Sequence, residues 1–231
     1  MNAVRSLAGV CVVIPAAGTG SRMSSEIPKQ YMQLSGKTIL QITLEKFLAL
    51  EPDRVVLVVS PDDEQYRCID IVESCEIVAG GAERSNSVSN GLAVLDLKSS
   101  DLVLVHDAVR PCVRSADILR LVESVTNHEV GGLLAVSVIE TLKSKVSGVV
   151  ETVDRKELWQ AQTPQGFRYG LLRESMDKAL ANEQVITDES QAVESAGYEP
   201  LLVAGHRDNI KITEPGDIAL AQFYMEHSEC A

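Results

Sequence analysis

The sequence predicts a three-layer α/β/α fold in which a mostly parallel, mixed sheet lies between helices and one β-hairpin arm projects from it. Three observations carry this. Short apolar, β-rich runs alternate with Gly- or Pro-punctuated loops and helical patterns, as parallel strands joined by crossover helices do. The run Val55-Val56-Leu57-Val58-Val59 is apolar on both faces, as a central strand covered on each side must be. One stretch alone, Glu140 to Trp159, alternates polar and β-branched residues around Ser147-Gly148 with no helix attached.

The elements follow in order. Expected strands are Val10 to Ile14, Arg54 to Ser60, Glu76 to Ala79, Leu102 to His106 and Gly132 to Val138, with two later extended segments, Pro200 to Val203 and Asn209 to Ile212. Between them, Thr38 to Leu50 places Ile39, Ile42, Leu44, Phe47 and Leu48 at helical spacing, and Asn86 to Leu97 does the same with Val88, Leu92, Val94 and Leu95. Further helices are expected at Ser115 to Asn127, Tyr169 to Asn182, Asp188 to Ala196 and Pro215 to His227. Asp188 suits an N-cap, Gly197 a helix end and Pro215 a first turn. The pattern is Rossmann-like, with residues 1–231 forming a single domain and an arm at about 139–160. An isolated two-stranded ribbon is marginal in water, so the arm is expected to lean on a second copy of the chain; a loose surface hairpin is the alternative.

Composition excludes several classes. The chain has 231 residues, 45% hydrophobic and 23% charged, a globular balance. Its formal net charge of −12 repels a phosphate backbone over most of its surface, so a nucleic-acid binder is not expected. Small anions are a different matter, because a few placed cations make a local positive pocket. Cys11, Cys68, Cys75, Cys112 and Cys230 form no C-x-x-C pair, which fits a reducing cytoplasmic setting rather than a disulfide frame or zinc knuckle. The stretch Leu7 to Ala17 after Arg5 has some character of a secretory leader, but the loop that follows it reads as working sequence. No apolar run approaches the ~20 residues of a membrane span, so no membrane partner is expected.

Chemistry is expected first at Pro15-Ala16-Ala17-Gly18-Thr19-Gly20-Ser21-Arg22-Met23, immediately after the first strand, where α/β sheets bind ligands. Glycines there let backbone N–H groups approach an anion closely. A dinucleotide fingerprint needs a third glycine where Met23 stands, and a phosphate loop ending at Gly36-Lys37-Thr38 needs one where Tyr31 stands. What remains is a Gly-x-Gly loop with two cations near it, Arg22 and the lysine of Pro28-Lys29-Gln30; a tight turn with solvated charges is the plainer account. Asp107 follows an apolar strand, so its carboxylate is expected at the same sheet edge, where it is able to hold Mg²⁺ or simply to cap a turn. His106 reads as structural.

The run Ala-Ala-Gly-x-Gly-x-Arg-Met followed by Pro-Lys-Gln resembles the nucleotide-sugar pyrophosphorylase superfamily. Further stretches narrow this: Gly80 to Val88, His106-Asp107-Ala108-Val109-Arg110-Pro111, Thr152-Val153-Asp154-Arg155, Gln162-Thr163-Pro164-Gln165 and Asp208-Asn209-Ile210-Lys211. In this order they resemble the 2-C-methyl-D-erythritol 4-phosphate cytidylyltransferase family from about Val12 to Tyr224. The resemblance implies in-line attack of the acceptor's phosphate on the α-phosphorus of CTP, with pyrophosphate leaving. It implies that Arg22 and Lys29 stabilise the transition state and that Pro15, Ala16, Ala17, Gly18, Thr19 and Gly20 cradle the triphosphate. Gly81, Ala82, Arg84, Ser87 and Ala108 would flank the cytosine, along with the loop ending at Arg110.

By the same resemblance Lys211 and Arg155 receive the acceptor's phosphate, and Asp107, Arg110, Thr141 and Thr163 contribute to substrate binding. Thr141, Arg155 and Thr163 would come from the second subunit of a homodimer. Asp107, assisted by Asp208, would hold Mg²⁺. On sequence alone Lys211 is equally a solvated lysine at a strand end. Val109 matches sister enzymes that use ribitol 5-phosphate, whereas Pro15-Ala16-Ala17-Gly18 and Thr152-Val153-Asp154-Arg155 match the methylerythritol enzymes, which are favoured. A non-catalytic nucleotide-binding domain is the rival from another class; it would need no such set of cations.

Overall fold

Side chains that water disfavours set the middle of the fold. In the computed structural model, which describes residues 4–18 and 27–227, β1 (Val10–Pro15), β4 (Arg54–Val59) and β6 (Leu102–Val105) are buried almost throughout. They lie side by side, β1 pairing in parallel with both neighbours. β5 (Glu76–Ala79) adds in parallel beyond β4. On the other side β10 (Trp159–Arg168) runs antiparallel to β6 and to β7 (Gly131–Ser137), and β11 (Leu201–Ala204) closes the edge in parallel with β7. The seven-stranded order is β11-β7-β10-β6-β1-β4-β5, with β10 the one reversed strand.

Alternation along each strand feeds two cores. Val10, Val12, Ile14, Leu57 and Leu104 face α1 (Ile39–Leu48) and α3 (Ser115–Thr126), which contribute Leu40, Leu44, Phe47, Ile118 and Leu121. Cys11, Val13, Val56, Val58 and Val103 face α2 (Arg84–Ala93), α4 (Tyr169–Ala181) and α5 (Glu189–Ser195) through Val88, Leu92, Leu172, Met176 and Val193. A smaller third cluster joins α6 (Pro215–His227) to Leu34, Ile42, Val109 and Ile212, beside a tight pair of strands, β2 (Gln33–Leu34) and β3 (Lys37–Thr38). Thr38 caps α1, its side chain accepting from the Gln41 N–H at 3.1 Å. Asp188 caps α5 in the same way. Among the described residues, no helix is long and apolar enough to cross a membrane.

The arm is β8 (Leu142–Val146) and β9 (Val149–Val153), a two-stranded sheet of its own. Ser147 and Gly148 turn it with φ of 51° and 86°, the paired positive angles of a two-residue hairpin loop. Its valines face outward: Val146 and Val149 are 69% and 60% exposed.

Three expectations need correction. Asn209 to Ile212 forms no strand: it turns after Asp208, and Ile212 is held by one bond, its N–H donating to the Val109 carbonyl at 2.9 Å. Conversely, β10 extends well past the expected end of the hairpin at Trp159. Its centre carries Gln162, Thr163 and Gln165, polar residues that hide the strand pattern because they are buried and bonded inside the fold. The second expected helix also starts earlier, at Arg84, and ends at Ala93.

α2 lies directly on the sheet because Gly91 has no Cβ: one built there would sit 2.6 Å from a Val13 methyl and 2.8 Å from a Val58 methyl. Gly91→Leu is therefore expected to lower the unfolding free energy by about 1–3 kcal/mol through overpacking. Urea unfolding checks this; an unchanged midpoint would mean that the helix can ride outward without loss.

Candidate active site

Parallel strands end together, so β1, β4, β5 and β6 deliver their following loops to one edge. After β1, Ala16 continues the pairing, its N–H donating to the Val58 carbonyl at 2.7 Å. The short turn Lys29–Tyr31 is pinned by the two residues that follow the lysine: the Gln30 amide donates to the Ala16 carbonyl at 2.9 Å, and the Tyr31 hydroxyl donates to Asp63 Oδ2 at 2.6 Å. Burial first, then that hydrogen bond, raise the Tyr31 pKa, so the phenol stays protonated. After β5, Gly80 comes so close to the first loop that a Cβ would sit 2.5 Å from Ala17 Cβ. The Ser87 hydroxyl accepts from the Gly81 N–H at 3.1 Å and donates to the Glu83 carbonyl at 3.1 Å, which fixes the glycine loop to the start of α2.

These loops enclose a cavity of about 330 Å³. Pro15, Ala16, Ala17, Gly18, Lys29, Gly81, Ala82, Arg84, Ser87, Asp107, Ala108 and Lys211, all expected from the sequence, line it, and so does Val109. Thr19, Gly20 and Arg22 lie outside the described residues.

Asp107 is the hub. Its Oδ1 accepts from Arg84 Nε at 3.0 Å, and its Oδ2 from Lys211 Nζ at 3.1 Å and Arg110 Nε at 3.3 Å. Burial alone would raise its pKa, but Arg84, then Lys211 and Arg110, hold the carboxyl well below the usual carboxylate range. Arg84 also forks onto Glu189, with Nη1–Oε1 at 2.6 Å and Nη2–Oε2 at 3.2 Å. Arg110 reaches past Asp107 to donate to the Asn209 carbonyl at 2.8 Å.

Beneath the hub runs a chain of hydrogen bonds. The Asp107 N–H donates to Thr163 Oγ1 at 3.0 Å; Thr163 Oγ1 meets His106 Nδ1 at 3.0 Å; His106 Nε2 meets the Arg110 carbonyl at 3.2 Å. A carbonyl only accepts, so Nε2 carries the proton and Nδ1 accepts from the threonine hydroxyl. The imidazole is neutral, burial pushing its pKa down to about 3. Its structural role follows, as expected from the sequence.

Four expected site residues are placed differently. Thr163 is buried in its own chain beside Asp107, on β10, and not on the arm from which contribution across a dimer was expected. Thr141 and Arg155 line a separate hollow on the arm, where the Arg155 guanidinium donates to the Ile139 carbonyl. Asp208 does not join Asp107 at a shared ion site: it accepts from Arg114 Nε at 2.9 Å and lines a second cavity with Arg114, His206 and Tyr224. Among the described residues no three His, Cys, Asp or Glu side chains converge on a metal position. Asp107 therefore fits Mg²⁺ only as a single carboxylate ligand, with phosphate oxygens supplying most of the rest. Glu189 went unrecognised as a site residue, since an acidic residue in a helix's first turn carries no signal of its own, and Asn209 was noted within the Asp208 to Lys211 motif without a role.

A carboxylate-centred cation cluster beside a glycine-walled cavity, at the carboxyl ends of parallel strands, defines a nucleotidyltransferase site. Comparison with known proteins makes this specific. The family model described as 2-C-methyl-D-erythritol 4-phosphate cytidylyltransferase matches residues 10–227, and the chain belongs to that family. It is 45% identical over 232 residues to the enzyme of that name from Vibrio vulnificus strain CMCP6, covering 97% of this chain and 98% of the relative. It is also 45% identical to the one from Klebsiella pneumoniae, over 95% of both chains. The crystal structure of the Francisella tularensis enzyme superposes with a TM-score of 0.80 at 39% identity, covering 93% of this chain and 98% of that one.

The neutral His106 makes a pH prediction. Unfolded, it takes a proton near pH 6.5; folded, only at about 3. The unfolded state thus binds more protons between those values, and this part of the stability is complete above pH 6.5 and lost as pH falls through the window. Thermal unfolding from pH 8 to 4 is expected to show that decline, and His106→Gln, though less stable overall, a shallower one. Equal slopes would show that His106 is not buried in its neutral form.

Proposed function

We propose that this cavity is where the chain joins CTP to 2-C-methyl-D-erythritol 4-phosphate, giving 4-diphosphocytidyl-2-C-methyl-D-erythritol and pyrophosphate. The observation that carries the assignment is the cluster of Arg84, Arg110 and Lys211 on Asp107, of which Arg84, Asp107 and Lys211 line the same cavity as Lys29 and the glycine loops. An oxygen of the acceptor's phosphate attacks the α-phosphorus of CTP as the bond to the β-phosphate oxygen breaks. The attacking group is already an anion, so no general base is required, and alignment with charge neutralisation does the catalysis. Lys29, held by its pinned turn, faces the triphosphate, and Arg22 shares its charge-neutralising role on this reading. The backbone of Pro15 to Gly18 cradles the phosphates, a role this reading extends to Thr19 and Gly20. Gly81, Ala82, Ser87 and Ala108 form the slot for the cytosine ring.

Lys211 is the cation best placed to move from Asp107 to the incoming phosphate, because its side chain is 37% exposed while that of Arg110 is 12% exposed. Mg²⁺, held by Asp107 and phosphate oxygens, would neutralise charge on the polyphosphate. Arg155 and Thr141 reach an active site only across a homodimer, on this reading, since they sit on the arm away from their own cavity. The arm's exposed Val146, Val149 and Val150 support burial against a second copy. Free thiols at Cys11, Cys68, Cys75 and Cys112 favour a cytoplasmic enzyme.

Pyrophosphate release from CTP is expected to require Mg²⁺ and to be far faster with 2-C-methyl-D-erythritol 4-phosphate than with ribitol 5-phosphate under identical conditions. Release with ribitol 5-phosphate alone would reassign the acceptor, and CTP binding without release would favour a binding module. Lys211→Met should reduce kcat/KM for the acceptor by about 10²–10³. Arg155→Ala and Lys29→Ala chains, each nearly inactive, should regain activity when mixed. No recovery in confirmed mixed dimers would refute a shared site.

A further inference from the structure

We infer that Glu189 is a positioning residue of the active site, acting through Arg84 to decide how that guanidinium is divided between the protein and the substrate. The inference rests on the assignment of the cavity as the CTP site. Glu189 is fully buried in the first turn of α5, 105 residues from Arg84 in the chain, and Arg84 takes both its oxygens in a forked pair. A carboxylate removed from water this completely is costly unless paired with good geometry. The fork provides that, and it also occupies one N–H of each terminal nitrogen of Arg84, the end-on pair. Only the Nε edge is left for Asp107, where it binds Oδ1 and leaves Oδ2 to Lys211 and Arg110.

Without Glu189, nothing described here would stop Arg84 turning its whole fork onto Asp107. That would take Oδ2 from Lys211 and Arg110, or Arg84 would swing onto a bound triphosphate. The support beneath Glu189 is rigid. The Gln165 amide of β10 donates to Asp188 Oδ2 at 2.9 Å, and its carbonyl accepts the Ser190 N–H at 2.7 Å, gripping α5 on both sides of Glu189. Asp188 Oδ1 accepts from the Gln191 N–H at 2.9 Å. A strand, a helix start and a wall of the cavity are thereby held in one geometry.

The test is a double-mutant cycle on kcat/KM for CTP. In the unaltered background, Glu189→Gln is expected to lower kcat/KM about tenfold, a coupling typical of residues in contact, and Glu189→Asp, which keeps the charge, to lower it less. In an Arg84→Met background both substitutions should change it by less than about twofold, because the residue they act through is gone. Equal fold-losses in both backgrounds would show a general structural role and overturn the inference, as would wild-type activity in Glu189→Gln. Should Glu189→Gln not fold, the Glu189→Asp arm alone closes the cycle. Pyrophosphate release by the unaltered protein is measured first: its absence would overturn the assignment of the cavity and the inference with it, whereas release with equal losses counts against Glu189 alone.

Discussion

One buried carboxylate makes the site possible. Arg84, Arg110 and Lys211 converge within hydrogen-bonding distance of Asp107. Three cations brought together in a partly dry cleft would repel one another strongly, the more so as the local dielectric falls. Asp107 offsets that repulsion and, because its backbone N–H is anchored to Thr163, holds the three in fixed positions before substrate arrives. Yet one carboxylate cannot neutralise three cations. Even with Glu189 counted, the cluster keeps an excess positive charge, and Lys29 lines the same cavity. A molecule with a net charge of −12 can thus attract polyanions at one place.

The neutrality of His106 belongs to the same design. A protonated imidazole here would add a fourth cation next to Arg110 and would lose the hydrogen bond it accepts from Thr163. Kept neutral by burial and tilted against Phe47 at a ring separation of 4.7 Å, it transmits position rather than protons. This suits a reaction whose nucleophile is already ionised, in which a titrating base would contribute little.

What the sequence revealed and what it hid have separate physical causes. The strands 10–14, 54–60 and 102–106 were legible because strands covered on both faces must be apolar on both, and the glycines at 80 and 81 because a turn at a ligand edge favours them. The central part of β10 was illegible for the opposite reason. Gln162, Thr163 and Gln165 are buried, the Gln162 amide N–H bonded to the His206 carbonyl, Thr163 to His106 and Gln165 to Asp188, partners far away in the chain. No local pattern records such bonds. The same holds for Glu189, whose meaning lies wholly in Arg84, and for Asp208, whose motif neighbour Lys211 reaches the hub while its own carboxylate turns to Arg114.

The reversed strand also explains where the arm is. β7 is parallel to the strands that carry the cavity, so the chain leaves it at their carboxyl end; β10 is antiparallel, so the chain must re-enter at that same end. Any excursion between Ser137 and Trp159 therefore emerges at the end of the sheet where the loops that line the cavity lie. Had β10 been parallel, a crossover would have been needed and the intervening segment would have been spent as a helix against one face. Topology alone thus puts the arm, and with it Arg155, at the end of the sheet where the cavity opens. It also brings Thr163, on the returning strand, directly under Asp107. A single change of strand direction both presents the arm and seats the hub.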